Sequence, residues 1–139
     1  MAIKVKQSAT EYAQIQSDVM TASTTIREGM TIGYSSGTLQ EVTATTGVIG
    51  IATETRTSPA TAGAMQIPFV PLGSQGCWPV LCSATVAKGA LVRPAANGVT
   101  THTTGVATVQ TLVGILAEAG AAGELAGCWL STGGLSTGA

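Results

Sequence analysis

What this chain has least of is charge. Lys, Arg, Asp and Glu make up 9% of its 139 residues, against roughly 25% in an ordinary soluble domain. The six basic residues, Lys4, Lys6, Arg27, Arg56, Lys88 and Arg93, are scattered along the sequence. Nucleic-acid binding needs clustered Lys and Arg to displace phosphate counterions, so no nucleic-acid partner is expected. Aromatic residues are nearly as scarce, at 4% against 45% apolar residues in all. The core must therefore be built from Val, Ile, Leu and Ala, with Phe69, Trp78 and Trp129 as its few large anchors. No apolar run approaches the roughly 18 residues needed to cross a membrane, and MAIKVKQSATEYAQIQ lacks the apolar centre of a secretory signal. Synthesis in a cytoplasm, without a membrane partner, is the expectation.

Residues that carry chemistry are just as thin. There are three cysteines, Cys77, Cys82 and Cys128, an odd number in a chain without a signal, which disfavours a disulfide framework. A zinc site would need them to converge with the single His102, yet Cys77 and Cys82 lie five apart and point to opposite faces of one strand. They read as buried small hydrophobes instead, and no metal is expected. His102 sits in THTT among hydroxyls, but neighbouring residues on a strand point apart and no third group is in view to orient a base. Glu118 and Glu124 flank the AGAAG turn; a pair of solvated loop carboxylates explains them without a cleft. With Asp18 as its single Asp, the chain has no calcium loop. It has neither GxxxxGK[ST] nor GxGxxG to hold a nucleotide. The expectation is a protein without enzymatic activity or cofactor.

What is abundant is glycine, 18 residues, and it is placed in a pattern. GVIGIATETRTSPATAGAMQIPFV, residues 47–70, has a second version in TLVGILAEAGAAGELAGCWL, residues 111–130. Each runs from an apolar strand with an inner glycine through a small-residue connector and Ala-Gly to a second apolar strand. TIREGMTI, residues 25–32, likewise lines up with TVAKGALV, residues 85–92. Gly29 matches Gly89, Gly50 matches Gly114 and Gly63 matches Gly123, so these six glycines mark the turns and close approaches of a twice-used framework. Two copies are too few for a solenoid. The pattern predicts one domain over 25–131, with halves 25–70 and 77–131 joined by PLGSQG.

Within each half the signals are those of short strands and turns. SSGT and Asn97-Gly98 read as hairpin turns. Met65, Ile67 and Phe69 alternate on one face, and Pro68 between them points to an edge strand. AEAGAA is too short and too glycine-bounded for a helix. The fold class is all-β, a small barrel or sandwich of many short strands. Residues 1–24 stand outside the duplication as an N-terminal arm, expected to dock on a partner through Ile3, Lys4, Val5, Lys6, Tyr12 and Ile15. Residues 132–139 are expected to be a flexible tail.

The succession of strand, glycine turn and strand, then V-x-G-I-A, Ala-Gly, an apolar strand and G-C-W-P-V before a second round, resembles the bacteriophage capsid cement (head decoration) family, formerly a domain of unknown function. Gly29, Gly50, Ile51, Ala52, Gly63, Gly76, Trp78, Pro79, Lys88, Gly89, Val92, Gly114, Gly123 and Trp129 carry the likeness, over about residues 22–131. It implies a β-barrel-like virion protein, homotrimeric, on the capsid exterior, clamping neighbouring subunits of the major capsid protein. From another class comes a non-catalytic ligand-binding β-module, for carbohydrate for example. Such a module presents exposed aromatics, and Trp78 and Trp129 fall in the most apolar strands, where burial is the expectation.

Overall fold

A computed structural model describes residues 14–44, 46–61, 65–102, 109–131 and 135–136. The chain is all-β, in two similar halves. The first contains β1 (Gln16–Val19), β2 (Thr25–Ile26), β3 (Thr31–Ser35), β4 (Thr38–Glu41), β5 (Gly50–Ala52), β6 (Arg56–Thr57) and β7 (Gln66–Pro71). The second contains β8 (Cys77–Leu81), β9 (Leu91–Ala95), β10 (Gly98–Thr101), β11 (Gln110–Thr111), β12 (Gly114–Leu116), β13 (Leu125–Leu130) and β14 (Leu135–Ser136).

Five strands of each half form one antiparallel sheet, in the order β1-β7-β5-β3-β4 and β8-β13-β12-β9-β10. The two orders are the same walk through the sequence. Each sheet then closes on itself through a parallel bridge just past its first strand, Met20 to Leu39 in the first and Cys82 to Val99 in the second. The result is two small barrels in tandem. Their backbone bonds repeat as well. Gly29 N–H donates to Ala52 at 2.8 Å and Gly89 N–H to Leu116 at 2.8 Å; Leu72 donates to Ile49 at 2.9 Å and Ser131 to Val113 at 2.8 Å.

Period-two alternation fills each barrel from the inside. Met20, Ile26, Ile32, Leu39, Ala52, Ile67 and Phe69 make the first interior. Cys82, Val86, Val92, Val99, Leu116, Ala126 and Cys128 belong to the second. Without large aromatics, strands must come close, and inner glycines permit it. A Cβ on Gly50 would run into the Val70 carbonyl, and one on Gly114 into that of Trp129. In the first barrel a two-residue turn, Ser36-Gly37, joins β3 to β4 with both residues at positive φ, 50° and 85°, the geometry that matches strand twist.

The structure departs from the sequence reading in four places. The arm expected over 1–24 ends in the barrel: β1 is the edge strand of the first sheet, paired with β7 from Gln16↔Phe69 to Val19↔Gln66. QSDV carries no apolar alternation that would have marked it, and residues 1–13 lie outside the described residues. Pro68 is not on an edge, since β7 lies between β1 and β5. It has no N–H to pair, and β5 has ended at Ala52 opposite it, while its carbonyl accepts from the Thr53 amide at 3.1 Å and the Thr53 hydroxyl at 3.2 Å. Leu135–Ser136, within the expected flexible tail, pair with Gln110–Thr111. Cys77, expected to be buried like the others, is exposed, while Cys82 and Cys128 are buried.

Candidate interaction surface

The two barrels sit head to tail, and the face each turns outward has a different fate. Across the first sheet, Thr31, Ile51 and Val70 stand in one register row. Their relative exposures are 0%, 1% and 0%. The second barrel covers them: Ile51 and Val70 share a core cluster with Val80, Cys82 and Val92, with Trp78 packed against it. The Leu81 amide, on the free edge of β8, donates to the Gly29 carbonyl at 2.9 Å. Beside this seam is a small apolar hollow of about 190 Å³ lined by Ile15, Ile51, Val70, Trp78 and Pro79 among others. A wider cleft of about 660 Å³ opens next to Arg27, Thr55, Leu81, Asn97 and Leu125.

The corresponding row of the second sheet is Leu91, Ile115 and Trp129, continued by Cys77. Here the exposures are 42%, 42% and 55%, and Cys77 is exposed. Three of the seven large exposed apolar side chains among the described residues thus stand in one row, on a face whose counterpart is sealed. Trp129 is not a core anchor: it occupies the place of Val70, but no described residue buries it, and it is 55% exposed. Trp78 is half-buried at the seam, its indole N–H donating to the Gln75 carbonyl at 2.9 Å. Phe69 alone of the three lies inside a barrel, 7% exposed. The apolar character of the Trp129 strand does not separate these fates, because a strand in an interface and a strand in a core carry the same residues.

The polar groups are mostly committed to structure. Arg27 is held by Glu41 through Nε at 3.0 Å, Nη2 at 2.9 Å and its own backbone amide at 2.8 Å. Donation to the Glu41 carboxylate raises the Arg27 pKa further. Arg27 Nη1 reaches Asn97 Oδ1 at 3.3 Å, across the seam. On the free edge of β1, Asp18 accepts the Tyr34 hydroxyl at 2.5 Å and the Val19 amide at 2.7 Å. Those two bonds, the Tyr34 one first, hold the Asp18 carboxyl below its usual range. Glu118 and Glu124 each take a backbone amide, of Gly127 at 2.9 Å and Ala121 at 3.3 Å. Burial raises the pKa of the Cys82 thiol and pushes that of Cys128 up to about 12. Among the described residues no three of His, Cys, Asp and Glu come together as a metal site. His102 is half-buried, and its Nδ1 has no hydrogen-bond partner among the described residues.

The six framework glycines fall as follows. Gly29, Gly89 and Gly123 occupy turns at φ of 81°, 84° and 82°; Gly50 and Gly114 open β5 and β12; Gly63 lies outside the described residues. Of the expected arm contacts, Ile15 is described and is exposed, while Ile3, Lys4, Val5, Lys6 and Tyr12 lie outside.

This arrangement of barrels has a solved relative. No family model and no curated protein sequence matches the chain. A solved structure does: the head fiber gp8.5 N base of bacteriophage phi29 superposes with a TM-score of 0.64, covering 88% of this chain and 98% of that one, at 17% identity. The two share a fold. At that identity the likeness is one of fold alone.

Proposed function

We propose that this chain is a structural protein of a bacteriophage virion, bound to the exterior of the assembled capsid, where it acts as a homotrimeric cement that clamps adjacent major capsid subunits. The observation that carries this reading is the fold shared with a phage head fiber base over nearly the whole of both chains. The glycine framework that resembles the cement family supports it from the sequence side. So does the composition: a charge-poor chain with an apolar row left open is suited to being held by protein neighbours. Its action is linkage and needs no reaction. A protein that binds the mature lattice and not its precursors stabilises that lattice by mass action, and several copies tie neighbouring subunits together. Trp129 as an exposed aromatic would also suit a carbohydrate platform, but its row partners are the aliphatic Leu91 and Ile115, which favour a protein surface.

Co-sedimentation with empty expanded shells tests the proposal. The full chain is expected to pellet with shells and to raise their melting temperature; a chain that stays in the supernatant refutes the virion reading. Removal of residues 1–13, which spares β1, is expected to weaken pelleting and leave the barrels folded. Undiminished pelleting of that truncation would refute a capsid-contact role for the arm.

A further inference from the structure

Each barrel offers the same two surfaces, an outer row and an outward edge, and among the described residues only one pair of them is used. The outer row of the first barrel receives the free edge of the second, β8. Left over are the outer row of the second barrel and the free edge of the first, β1. The leftover surfaces correspond in backbone position with the ones in use. Gly29, the acceptor in the seam, is packed so tightly that a Cβ would lie 2.6 Å from the Leu81 nitrogen; its counterpart Gly89 has the same φ and open space around it. No described residue donates to the Gly89 carbonyl.

The donor side matches too. Leu81 and Val19 hold the same place on their edges, opposite the first residues of β13 and β7. The next amides, Cys82 and Met20, turn inward to Glu124 and Met65, so both Leu81 and Val19 point theirs outward. That of Leu81 goes to Gly29. That of Val19 is held by the carboxylate of its neighbour Asp18. Tyr34, bonded to Asp18, is the large exposed apolar residue beside this edge, while Ile15, just before β1, lines the hollow at the seam.

We propose that a second copy of this chain covers the Leu91–Ile115–Trp129 row with the β1 edge of its first barrel, repeating between chains the contact that the two barrels make within one. The Val19 amide then exchanges the Asp18 carboxylate for the Gly89 carbonyl of the neighbouring copy. Such a contact is heterologous, row to edge, and propagates head to tail until a ring closes. The inference deepens the self-assembly part of the proposed function and names the surfaces that perform it.

Two surface variants of the full chain test it by sedimentation equilibrium. Trp129→Asp spoils the row, and Tyr34→Asp, which sets a second carboxylate against Asp18, spoils the edge; far-UV circular dichroism verifies that both are folded. The wild-type chain is expected as a discrete oligomer and each variant alone as a monomer. Mixed in equal amounts, the two are expected to pair into a species of twice the monomer mass, because each retains the surface the other lacks. A wild-type monomer, an edge variant that assembles like wild type, or a mixture that stays monomeric each overturns the proposal. A row-to-row contact would be abolished by Trp129→Asp and left intact in the edge variant, so the two geometries give opposite results. Shell co-sedimentation is a separate readout: a wild-type chain that is monomeric yet pellets sinks the head-to-tail contact alone, and wild-type rings that ignore shells sink the virion reading alone.

Discussion

Alanine at Gly29 and alanine at Gly37 form a matched pair that isolates what the seam between the barrels contributes. Both glycines sit in turns at nearly the same φ, 81° and 85°, so the left-handed backbone imposes the same penalty on each, about 1–2 kcal/mol. Around position 37 a Cβ would meet nothing within 4 Å. At position 29 it would meet Leu125 Cδ2 at 2.5 Å, the Leu81 nitrogen at 2.6 Å and the Val80 carbonyl carbon at 3.1 Å. The leucine side chain can swing aside. The Leu81 amide cannot retreat without lengthening its 2.9 Å bond to the Gly29 carbonyl. Overpacking of this kind costs about 1–3 kcal/mol, so Gly29→Ala is expected to lose about 2–5 kcal/mol in all, and Gly37→Ala about 1–2 kcal/mol. Urea unfolding measures both. Because Trp78 and Trp129 belong to the second barrel, their fluorescence follows that barrel while far-UV circular dichroism follows both. Gly29→Ala should lower the midpoint further and pull the two signals apart. Equal losses for the two variants, with coincident signals in both, would refute a packed seam.

Three other perturbations follow from the polar contacts. Glu41→Ala removes an acceptor of three bonds from Arg27, at 18% side-chain exposure, and is expected to cost about 1–2 kcal/mol; Glu54→Ala breaks a more exposed pair with Arg56 and should cost about 0–1 kcal/mol in the same urea assay. Tyr34→Phe deletes the leading cause of the lowered Asp18 pKa. A depressed carboxyl adds stability that is complete above its unfolded value, near ~3.9, and is lost as pH falls through the folded value. The variant should therefore raise the Asp18 pKa in an NMR titration and shrink that acid-side loss slightly, the group being exposed; an unmoved pKa contradicts the assignment. Cys82 and Cys128 should resist alkylation at mildly alkaline pH in the native protein, because burial holds both as thiols, and react once urea unfolds the chain. Modification of either in the folded protein would show that its barrel opens.

The sequence carried the duplication plainly, because strand geometry demands glycine where backbones touch. Gly50 and Gly114 stand at the same place in both barrels, and so do the bonds of Gly29 and Gly89. It did not carry the first strand of the first barrel. β8 reads as CWPVL, with Val80 buried and Trp78 and Leu81 half-buried; β1 reads as QSDV, with Gln16 and Ser17 exposed and Asp18 and Val19 half-buried. Nor could Trp129 be told from a core residue. Period and hydrophobicity report that a residue is meant to be covered. They do not report whether the cover is the same chain or another.

The differences between the barrels follow the same logic. Asp18 and Tyr34 hold the places that Val80 and Pro94 hold in the second barrel, as the registers opposite Ile67 and Ala126, and opposite Leu39 and Val99, show. Val80 is sealed permanently within the chain and is fully buried, so an aliphatic side chain suits it. Asp18 lies on an edge that no described strand covers, and strand edges invite indiscriminate pairing. A carboxylate that caps its neighbour's amide and takes a tyrosine hydroxyl blunts that edge while leaving it free to exchange partners. The second barrel's row has no such guard: Leu91, Ile115 and Trp129 present side chains, not strand-edge amides, and a sheet face of that kind does not template a strand. One surface is thus protected and the other left sticky, an asymmetry that fits a chain made to join its copies in one direction only.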